Sequence, residues 1–417
     1  MNYGCIGEKL GHSFSKEIHT HLADYSYELK ELAPLELAAF MEEKNFSAIN
    51  VTIPYKQDVI PYLSEISPQA KAIGAVNTIV NKNGQLYGYN TDFFGMRALI
   101  LRAGISLEGC KVLILGSGGT SRTARAVAAD LKAKEILVVS RSGKDGIPYE
   151  EARLRHSDAE ILINTTPCGM FPHIETVPLD LNDYPHLKGV VDAVYNPLRT
   201  ELVLRARERG IPAVCGLYML VAQAAYAVEF FLDTKIPSEK IEAVYNELFS
   251  MKQNIVLIGM PGSGKSTVGS RLAAALGRPF YDTDALLTAR AGAAPSEIIL
   301  QKGEKYFRDL ESAVILEEAA PLTGAIIATG GGAVLREENV RNLKRNGRVF
   351  FLDRPLEEIR PTADRPLSSD RAALQKRYEE RYGIYCGSAD VVLSPASVLD
   401  AVCNQIIEDI KNENSCD

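Results

Sequence analysis

A glycine-rich loop is the most specific chemical signature in the sequence. Gly259-Met-Pro-Gly-Ser-Gly-Lys-Ser-Thr267 follows the apolar run Asn254–Ile258, which is typical of a buried parallel strand. In such a P-loop the backbone amides hold nucleotide phosphates, the lysine reaches the β- and γ-phosphate oxygens, and the hydroxyl after it binds Mg²⁺. The pattern does not define the phosphoryl acceptor. It predicts a phosphate and Mg²⁺ site whose ligands are Gly262, Ser263, Gly264, Lys265, Ser266 and Thr267.

A second glycine turn, Gly116-Ser-Gly-Gly119, follows the strand-like run Lys111–Leu115 and precedes a helical stretch. Backbone amides at the start of such a helix favour a pyrophosphate. After the next strand, Glu135–Val139, an NAD site would carry a carboxylate, but here two serines flank an arginine and Lys144 is close behind. Because cations and hydroxyls suit a 2′-phosphate, the predicted cofactor is NADP(H). Its predicted ligands are Gly116, Ser117, Gly118, Gly119, Ser140, Arg141 and Ser142.

Three polar segments in the first hundred residues lie where a core strand would be apolar. Gly11–Ser15 places its two serines at i and i+2, on one side of an extended chain. Asn50–Lys56 ends a strand with a lysine after a proline, and Gly88–Asp92 places a carboxylate just before a helix. Each segment has a plain structural alternative, which for Asp92 alone is helix N-capping.

Six separated motifs occur in order over residues 1–250. They are Ser13-Phe-Ser15, Asn50-Val-Thr-Ile-Pro-Tyr-Lys56, Gly74-Ala-Val-Asn-Thr78, Asn90-Thr-Asp92, the glycine turn, and Gly216-Leu-Tyr-Met-Leu-Val-Ala-Gln223. Together they resemble the shikimate dehydrogenase family, from which Lys16 and Ser140 depart at positions away from the reacting groups. The resemblance implies Gly216 as a cofactor ligand and, as ligands of shikimate, Ser13, Ser15, Thr52, Asn77, Asp92, Tyr195 and Gln223.

The chemistry of ketone reduction agrees with this resemblance. Hydride transfer places negative charge on the ketone oxygen, so the site needs a proton donor beside the hydride acceptor. We assign Lys56 as the donor and Asp92 as its partner, although the sequence does not show which of the two titrates. The implied reaction is NADPH-dependent reduction of 3-dehydroshikimate to shikimate, and a preference for quinate is an alternative.

Further polar groups follow the P-loop at the ends of predicted elements. Asp282 and Asp284 would end a strand at i and i+2, facing the same way. Arg308 and Glu311 lie three apart on one predicted helix face, a spacing that more often gives a surface ion pair than a binding site. The triplet Gly330–Gly332 ends a strand where a ligand can approach the backbone.

With Asp364-Arg-Pro-Leu367 and Arg381-x-x-x-Tyr385, these segments resemble the shikimate kinase family over about residues 251–410. The resemblance implies MgATP-dependent phosphorylation of shikimate at its 3-hydroxyl, with Lys265 and Asp284 as catalytic residues. Asp282 would support Mg²⁺ beside Ser266, and Arg365 would fold over the nucleotide phosphates. Gly383 and Gly387 depart from the family pattern. The implied shikimate ligands are Asp284, Arg308, Gly331, Gly332 and Arg381.

The predicted architecture is α/β throughout. Residues 1–95 with 216–250 form an α/β substrate-binding domain, 96–215 form a Rossmann NADP domain, and 251–417 form a P-loop domain of the nucleoside monophosphate kinase type with a parallel sheet. The two halves point to one metabolite, so the predicted chain is a bifunctional shikimate-pathway enzyme. A metabolite sensor without turnover is the alternative from a different class.

The composition excludes several other classes. The chain has 417 residues, 46% hydrophobic and 24% charged, as in an ordinary globular protein. Seven cysteines without a CxxC pair predict reduced thiols and a cytoplasmic location, and the opening residues do not resemble a signal peptide. A formal charge of −7 without basic tracts predicts small-molecule partners rather than nucleic acid or membrane. The sequence does not predict the oligomeric state.

Overall fold

The chain folds into two compact units. The computed structural model describes residues 1–10, 14–143, 145–359, 371–393 and 399–412. Unit 1 comprises Met1–Asn196 with Thr200–Glu247, and unit 2 comprises Pro197–Arg199 with the chain from Leu248 onward. The predicted boundary between residues 250 and 251 lies within a helix, Ser238–Lys252.

The first sheet of unit 1 is mixed and has six strands in the order β2-β1-β3-β5-β6-β4. Its antiparallel pair β5–β6 is joined by Asn83-Gly84, both with positive φ (55° and 82°), as a two-residue hairpin turn requires. The strands are β1 (Tyr3–Gly7), β2 (Tyr27–Glu31), β3 (Ala48–Val51), β4 (Glu65–Ile66), β5 (Thr78–Lys82) and β6 (Gln85–Tyr89), with helices α1 (Ser15–Leu22), α2 (Leu37–Glu43) and α3 (Pro68–Ile73).

The second sheet of unit 1 is parallel throughout, with the order β11-β10-β9-β7-β8. Its central strands are continuous apolar runs because parallel sheets are covered by helices on both faces. The strands are β7 (Lys111–Leu115), β8 (Glu135–Val139), β9 (Ile161–Asn164), β10 (Gly189–Asp192) and β11 (Ala213–Val214), and the helices of this region are α4 (Thr91–Arg102), α5 (Gly119–Asp130), α6 (Tyr149–Arg155), α7 (Glu201–Glu208), α8 (Leu217–Leu232) and α9 (Ser238–Lys252).

Helices α4 and α8 pack closely against each other within unit 1. A Cβ at Gly95 of α4 would lie 2.6 Å from the carbonyl oxygen of Met219 in α8, so a glycine is required at this crossing. The predicted domain boundary between residues 95 and 96 therefore lies in the middle of a packed helix. The same crossing brings Asp92 and Gln223 to one cavity.

Unit 2 contains a parallel five-stranded sheet with the order β13-β14-β12-β15-β16. Successive residues of β12 pack on opposite faces, Val256 and Ile258 in one apolar cluster, Ile255 and Leu257 in the other. The strands are β12 (Asn254–Ile258), β13 (Phe280–Asp282), β14 (Ile326–Ala328), β15 (Gly347–Leu352) and β16 (Val391–Leu393), with helices α10 (Lys265–Leu276), α11 (Thr283–Ala291), α12 (Pro295–Lys302), α13 (Glu304–Val314), α14 (Glu337–Lys344), α15 (Arg371–Ser388) and α16 (Leu399–Asn412).

The predicted α/β fold class is confirmed by these three sheets. No helix within the described ranges is long and apolar enough to cross a membrane. The six cysteines in those ranges are all free thiols.

Candidate active sites

Unit 1 contains a cavity of about 260 Å³ lined by residues of the first sheet and by residues that follow strands of the second. Most of the predicted dehydrogenase ligands meet there, although Ser13 lies outside the described residues. The predicted residues in the lining are Ser15, Thr52, Lys56, Asn77, Asp92, Tyr195, Gly216 and Gln223. Those that were not predicted as ligands are Cys5, Asn50, Val51, Thr120, Ala193, Met219 and Leu220.

Lys56 and Asp92 form an ion pair in the wall of this cavity. The Lys56 Nζ lies 2.7 Å from Asp92 Oδ2, and the two side chains are 29% and 21% exposed. Asp92 lies in the first turn of α4, but the N-cap is Asn90, whose Oδ1 accepts from the Phe93 N–H at 3.2 Å. The capping role considered for Asp92 therefore belongs to Asn90, and the Asp92 carboxylate is available to hold the lysine.

Two buried asparagines belong to the polar lining of the same cavity. Asn77 Oδ1 accepts from the backbone N–H of Thr91 at 2.7 Å, and the Thr91 hydroxyl donates to Gln223 Oε1 at 3.3 Å. Asn50, which was not predicted as a ligand, accepts from the Tyr27 hydroxyl at 2.7 Å and donates to the Asn77 carbonyl oxygen at 3.2 Å. These bonds hold the amide groups in fixed orientations at the cavity.

The expected extended chain at Ser13 and Ser15 is wrong at Ser15. Helix α1 begins at this residue, and Phe14 before it has φ −71° and ψ −6°, which is helical. The period-two alternation of a strand therefore does not apply, and Ser15 reaches the cavity from the first turn of a helix.

The glycine turn after β7 forms the N-terminus of α5. Gly116 has φ +103°, and a Cβ there would lie 2.9 Å from the Thr165 Oγ1. A Cβ at Gly118 or Gly119 would meet no other atom of the described residues within 4 Å, which leaves room for a ligand over the first amides of the helix. Thr120 of the same turn lines the substrate cavity. This geometry fits a dinucleotide whose pyrophosphate lies at α5.

The predicted 2′-phosphate ligands follow the end of β8. Ser140 is buried, and its backbone N–H donates to the Ile147 carbonyl oxygen at 3.0 Å. Arg141 is exposed, and no carboxylate stands at this position of the chain. Lys144 lies outside the described residues.

Asp192 at the end of β10 is a buried hydrogen-bond acceptor. It accepts from Asn164 Nδ2 at 2.9 Å, the Val194 N–H at 3.0 Å and the Thr200 hydroxyl at 2.7 Å. Burial raises the pKa of Asp192 to about 7, against the lowering effect of these donors. The bond to Val194 fixes the turn that carries Tyr195 to the cavity.

In unit 2 the P-loop backbone has a conformation suited to binding phosphate. Gly262 and Gly264 have φ of +85° and +95°, and Gly264 is the N-cap of α10. Lys265 donates to the carbonyl oxygens of Gly259 and Met260 at 2.9 and 3.0 Å. The buried Ser263 Oγ has no hydrogen-bond partner among the described residues, as expected for a group that a phosphate oxygen would satisfy.

The predicted Mg²⁺ ligands are in contact. Ser266 Oγ donates to Asp282 Oδ2 at 2.7 Å, and this pair of oxygen donors fits the hard cation. The expected strand ends at Asp282, so the prediction that it continues to Asp284 is wrong. Asp282 is the N-cap of α11, accepting from the Asp284 N–H at 3.0 Å, and Asp284 lies in the first turn of that helix. The two carboxylates are thus separated by a helix start rather than aligned along a strand.

Asp284 approaches the glycine triplet after β14. A Cβ at Gly330 would lie 2.8 Å from Asp284 Oδ1 and 2.7 Å from Glu311 Oε1, so both carboxylates approach this glycine. The Gly330 N–H donates to the Thr283 hydroxyl at 2.9 Å. Glycine is therefore required at position 330, because the two carboxylates occupy the space that a side chain would need.

Arg308 and Glu311 form a buried pair rather than the surface pair that their spacing suggests. Arg308 Nη1 lies 2.6 Å from Glu311 Oε2, and the side chains are only 12% and 2% exposed. Burial raises the pKa of Glu311, and the nearby Arg308 opposes this effect. A Cβ at Gly332 would lie 2.3 Å from both terminal nitrogens of Arg308, so the guanidinium lies directly against the loop.

Arg381 of α15 completes the predicted kinase site in the described residues. Its Nη1 donates to the Gly331 carbonyl oxygen at 3.1 Å, and the Tyr385 hydroxyl donates to the same oxygen. Arg308 and Arg381 therefore both contact the Gly330–Gly332 loop, which Asp284 also approaches at Gly330. Arg365 lies outside the described residues.

Fold and sites together define two classes of enzyme in one chain, a dinucleotide-dependent dehydrogenase in unit 1 and a P-loop kinase in unit 2. The family model for the shikimate dehydrogenase substrate binding domain matches residues 5–79, and the shikimate kinase family model matches residues 261–411. The NADP⁺ shikimate dehydrogenase of Clostridium perfringens is 39% identical over 264 residues, 59% of this chain and 97% of the relative. The chain belongs to the shikimate dehydrogenase family and also carries a shikimate kinase domain.

Solved structures agree with this assignment for unit 1. Shikimate dehydrogenase 1 from Peptoclostridium difficile is 35% identical with a TM-score of 0.53, covering 60% of this chain and 98% of its own. Shikimate 5-dehydrogenase from Thermus thermophilus, solved with NADP(H) and shikimate, is 27% identical with a TM-score of 0.53 and covers 59% of this chain and 99% of its own. The predicted family recognition is confirmed for both halves.

Proposed function

We propose that the chain catalyses two consecutive reactions of shikimate metabolism. Unit 1 reduces 3-dehydroshikimate to shikimate with NADPH, and unit 2 phosphorylates the 3-hydroxyl of shikimate with MgATP. The observation that carries the first activity is the Lys56–Asp92 pair at 2.7 Å in a polar cavity that Thr120 of the cofactor turn also lines. A sensor that only binds these ligands has no need of such a proton-transfer pair.

In the reduction, NADPH supplies the hydride. Lys56 donates the proton to the ketone oxygen as charge develops there, and Asp92 holds the ammonium in position for that transfer. The incomplete burial of the pair supports this role because substrate and solvent protons can reach it.

Substrate orientation follows from the polar lining of the cavity. The hydroxyls of Ser15 and Thr52 and the amides of Asn77 and Gln223 would hold the hydroxyl and carboxylate groups of shikimate, with Tyr195 closing one side. Ser13 is proposed as a further ligand from the sequence motif alone. Fixed amides of this kind select a ring with several hydroxyls because a buried amide left unpaired costs about 1–3 kcal/mol.

NADPH would lie with its pyrophosphate over Gly118 and Gly119 at the N-terminus of α5. Arg141 and the neighbouring Ser140 and Ser142 would take the 2′-phosphate, and Gly216 would border the nicotinamide end. Gly216 is required because a Cβ there would lie 2.2 Å from the Ala193 carbonyl oxygen. The exposed guanidinium of Arg141 supports NADPH over NADH.

In the phosphorylation, Lys265 and the amides from Gly262 to Thr267 would hold the ATP phosphates, with Ser266 and Asp282 as the ligands of Mg²⁺. Mg²⁺ neutralises phosphate charge when it is bound. Asp284 orients the 3-hydroxyl, accepts its proton, and lies against the loop that would hold the sugar-like ring. The partners Arg308 and Arg381 grip the shikimate carboxylate, and Arg365 is proposed from its motif to cover the phosphates.

The free thiols in the described part of the chain support a cytoplasmic location, where cysteines remain reduced. We propose small-molecule substrates as the partners of both units.

The function is tested by supplying the purified chain with 3-dehydroshikimate, NADPH and MgATP. We expect one NADPH oxidised and one ADP released for each shikimate 3-phosphate formed. Shikimate accumulation without phosphate ester would exclude the kinase activity. No NADPH oxidation with 3-dehydroshikimate, while added shikimate still yields ADP, would exclude the reductase.

A further inference from the structure

One arginine of the cofactor helix contacts the segment that carries the catalytic lysine. Arg122 lies in α5, soon after the glycine turn, and its Nη1 and Nη2 lie 2.6 and 2.7 Å from the side-chain amide of Gln57. Gln57 directly follows Lys56 in the chain. A guanidinium carries only donors, so the amide atom that faces it is the carbonyl oxygen, which accepts from both nitrogens.

The same guanidinium lies beside the end of α3. A Cβ at Gly74, the left-handed C-cap of that helix, would be 3.9 Å from Arg122 Nη1. A positive charge is favourable there because carbonyl oxygens point out of the last helical turn. Gly74 opens the segment that leads to the substrate-side residue Asn77.

The two segments that Arg122 contacts are also bonded to each other. The Val76 N–H donates to the Lys56 carbonyl oxygen at 2.8 Å, so the lysine and the Gly74–Asn77 segment form one connected surface. Helix α3 packs against α5 along this line. A displacement of α5 is therefore transmitted to both Lys56 and Asn77 by the side chain of Arg122.

We propose that the Arg122–Gln57 hydrogen bonds couple NADPH binding to the placement of Lys56 and Asn77. The inference rests on the reductase function proposed for unit 1. A pyrophosphate bound at the N-terminus of α5 fixes this helix, and Arg122 then fixes the substrate-side segments. Both side chains are exposed, so their bond contributes little to overall stability. Arg122 and Gln57 are positioning residues and do not touch the reacting atoms.

The test measures the Kd of NADPH by its fluorescence, with and without saturating shikimate and in the absence of ATP. Shikimate is already reduced, so the ternary complex does not react, and the fluorescence reports only unit 1. Because coupling is reciprocal, shikimate tightens NADPH binding by the same factor that NADPH tightens shikimate binding. We expect a wild-type factor of about five or more.

The variants separate coupling from folding. Arg122→Ala and Gln57→Ala should each bring the factor close to one, and the double variant should lower it no further. Gln57→Glu should retain the factor, since a carboxylate also accepts both guanidinium nitrogens. Arg125→Ala removes another exposed arginine from α5 and should behave as wild type.

Two results would overturn the proposal. One is a coupling factor near one in the wild type. The other is an unchanged factor in Arg122→Ala. If that variant also weakens NADPH binding equally with and without shikimate, the arginine serves the cofactor phosphates alone. Wild-type turnover of 3-dehydroshikimate tests the proposed function independently, so a chain that turns over without coupling contradicts only this inference.

Discussion

Each unit contains a cation–carboxylate pair at its site, and the two pairs differ in burial. Lys56 and Asp92 in unit 1 keep 29% and 21% exposure, whereas Arg308 and Glu311 in unit 2 keep 12% and 2%. Both pairs have short contacts, 2.7 and 2.6 Å. Distance alone therefore does not distinguish the pair proposed to transfer protons from the pair proposed only to bind.

The chemistry proposed for each site accounts for the difference. A proton donor must exchange its proton with substrate and solvent, and the partly exposed lysine pair suits that proposed role. An arginine stays charged at all relevant pH values and serves phosphoryl transfer by binding and positioning, so its pair can be buried. The comparison predicts that breaking the first pair affects turnover and that breaking the second affects folding as well.

Lys56→Ala should have the largest effect. Removing the proton donor should lower kcat for 3-dehydroshikimate reduction about 10²- to 10⁴-fold, while NADPH affinity measured by fluorescence stays within about twofold. Phosphorylation of added shikimate by the same preparation is the internal control. Lys71→Ala, which removes an exposed lysine of α3, is the matched lysine variant. Loss of NADPH binding in a folded Lys56→Ala protein would show that Lys56 has a structural role rather than a catalytic one.

Glu311→Gln should destabilise unit 2 because it leaves the buried Arg308 guanidinium without its carboxylate. We expect a loss of about 3 kcal/mol in the free energy of unfolding measured with denaturant. Asp92→Asn in the open pair should cost less than about 1 kcal/mol. The control is Glu304→Gln, which removes the exposed partner of Arg308. Equal costs for Glu311→Gln and Asp92→Asn would remove the distinction between the pairs.

Arg141→Ala tests the preference for NADPH proposed for unit 1. The variant should raise KM for NADPH about tenfold and leave KM for NADH nearly unchanged, since only NADPH carries the 2′-phosphate. Steady-state rates with both cofactors provide the measurement, with Arg155→Ala as the exposed arginine control. A wild type that uses NADH and NADPH with equal efficiency would contradict the cofactor assignment.

Asp192 should give unit 1 a pH-dependent stability. Its pKa is raised to about 7 in the folded chain from an ordinary 3.8, so the folded state binds the proton more tightly than the unfolded state. Stability from this group is therefore complete below about pH 4 and falls as the pH rises towards 7. The difference in unfolding free energy between wild type and Asp192→Asn should fall by at least about 1 kcal/mol over that interval. If this difference does not change with pH, the Asp192 carboxyl does not titrate in this pH interval.

Apolar runs gave reliable predictions of the parallel strands. Lys111–Leu115, Glu135–Val139 and Asn254–Ile258 occur with the predicted bounds, because strands buried on both faces need continuous apolar residues. The predictions at Ser15 and Asp284 were wrong for one shared reason. Ser15 begins a helix and Asp284 lies in the first turn of one, so strand alternation was extended past the end of the extended chain.

Contacts between distant segments could not be predicted from local pattern. The spacing of Arg308 and Glu311 predicted their contact but not its burial, which depends on the glycine loop after β14. Asn50 and Thr120 belong to recognised motifs, yet only the fold shows that both line the cavity. The Gln57–Arg122 contact joins residues 65 positions apart and leaves no mark in either motif.

The central claim, two complete active sites in one chain, is tested most directly by complementation. The variants Lys56→Ala and Asp284→Asn are each supplied with 3-dehydroshikimate, NADPH and MgATP, first separately and then as an equimolar mixture. Separately, the first should form no product and the second should stop at shikimate. We predict that the mixture forms shikimate 3-phosphate, because shikimate released by one chain is phosphorylated by the other. A mixture of folded variants that accumulates shikimate or forms nothing would contradict the account.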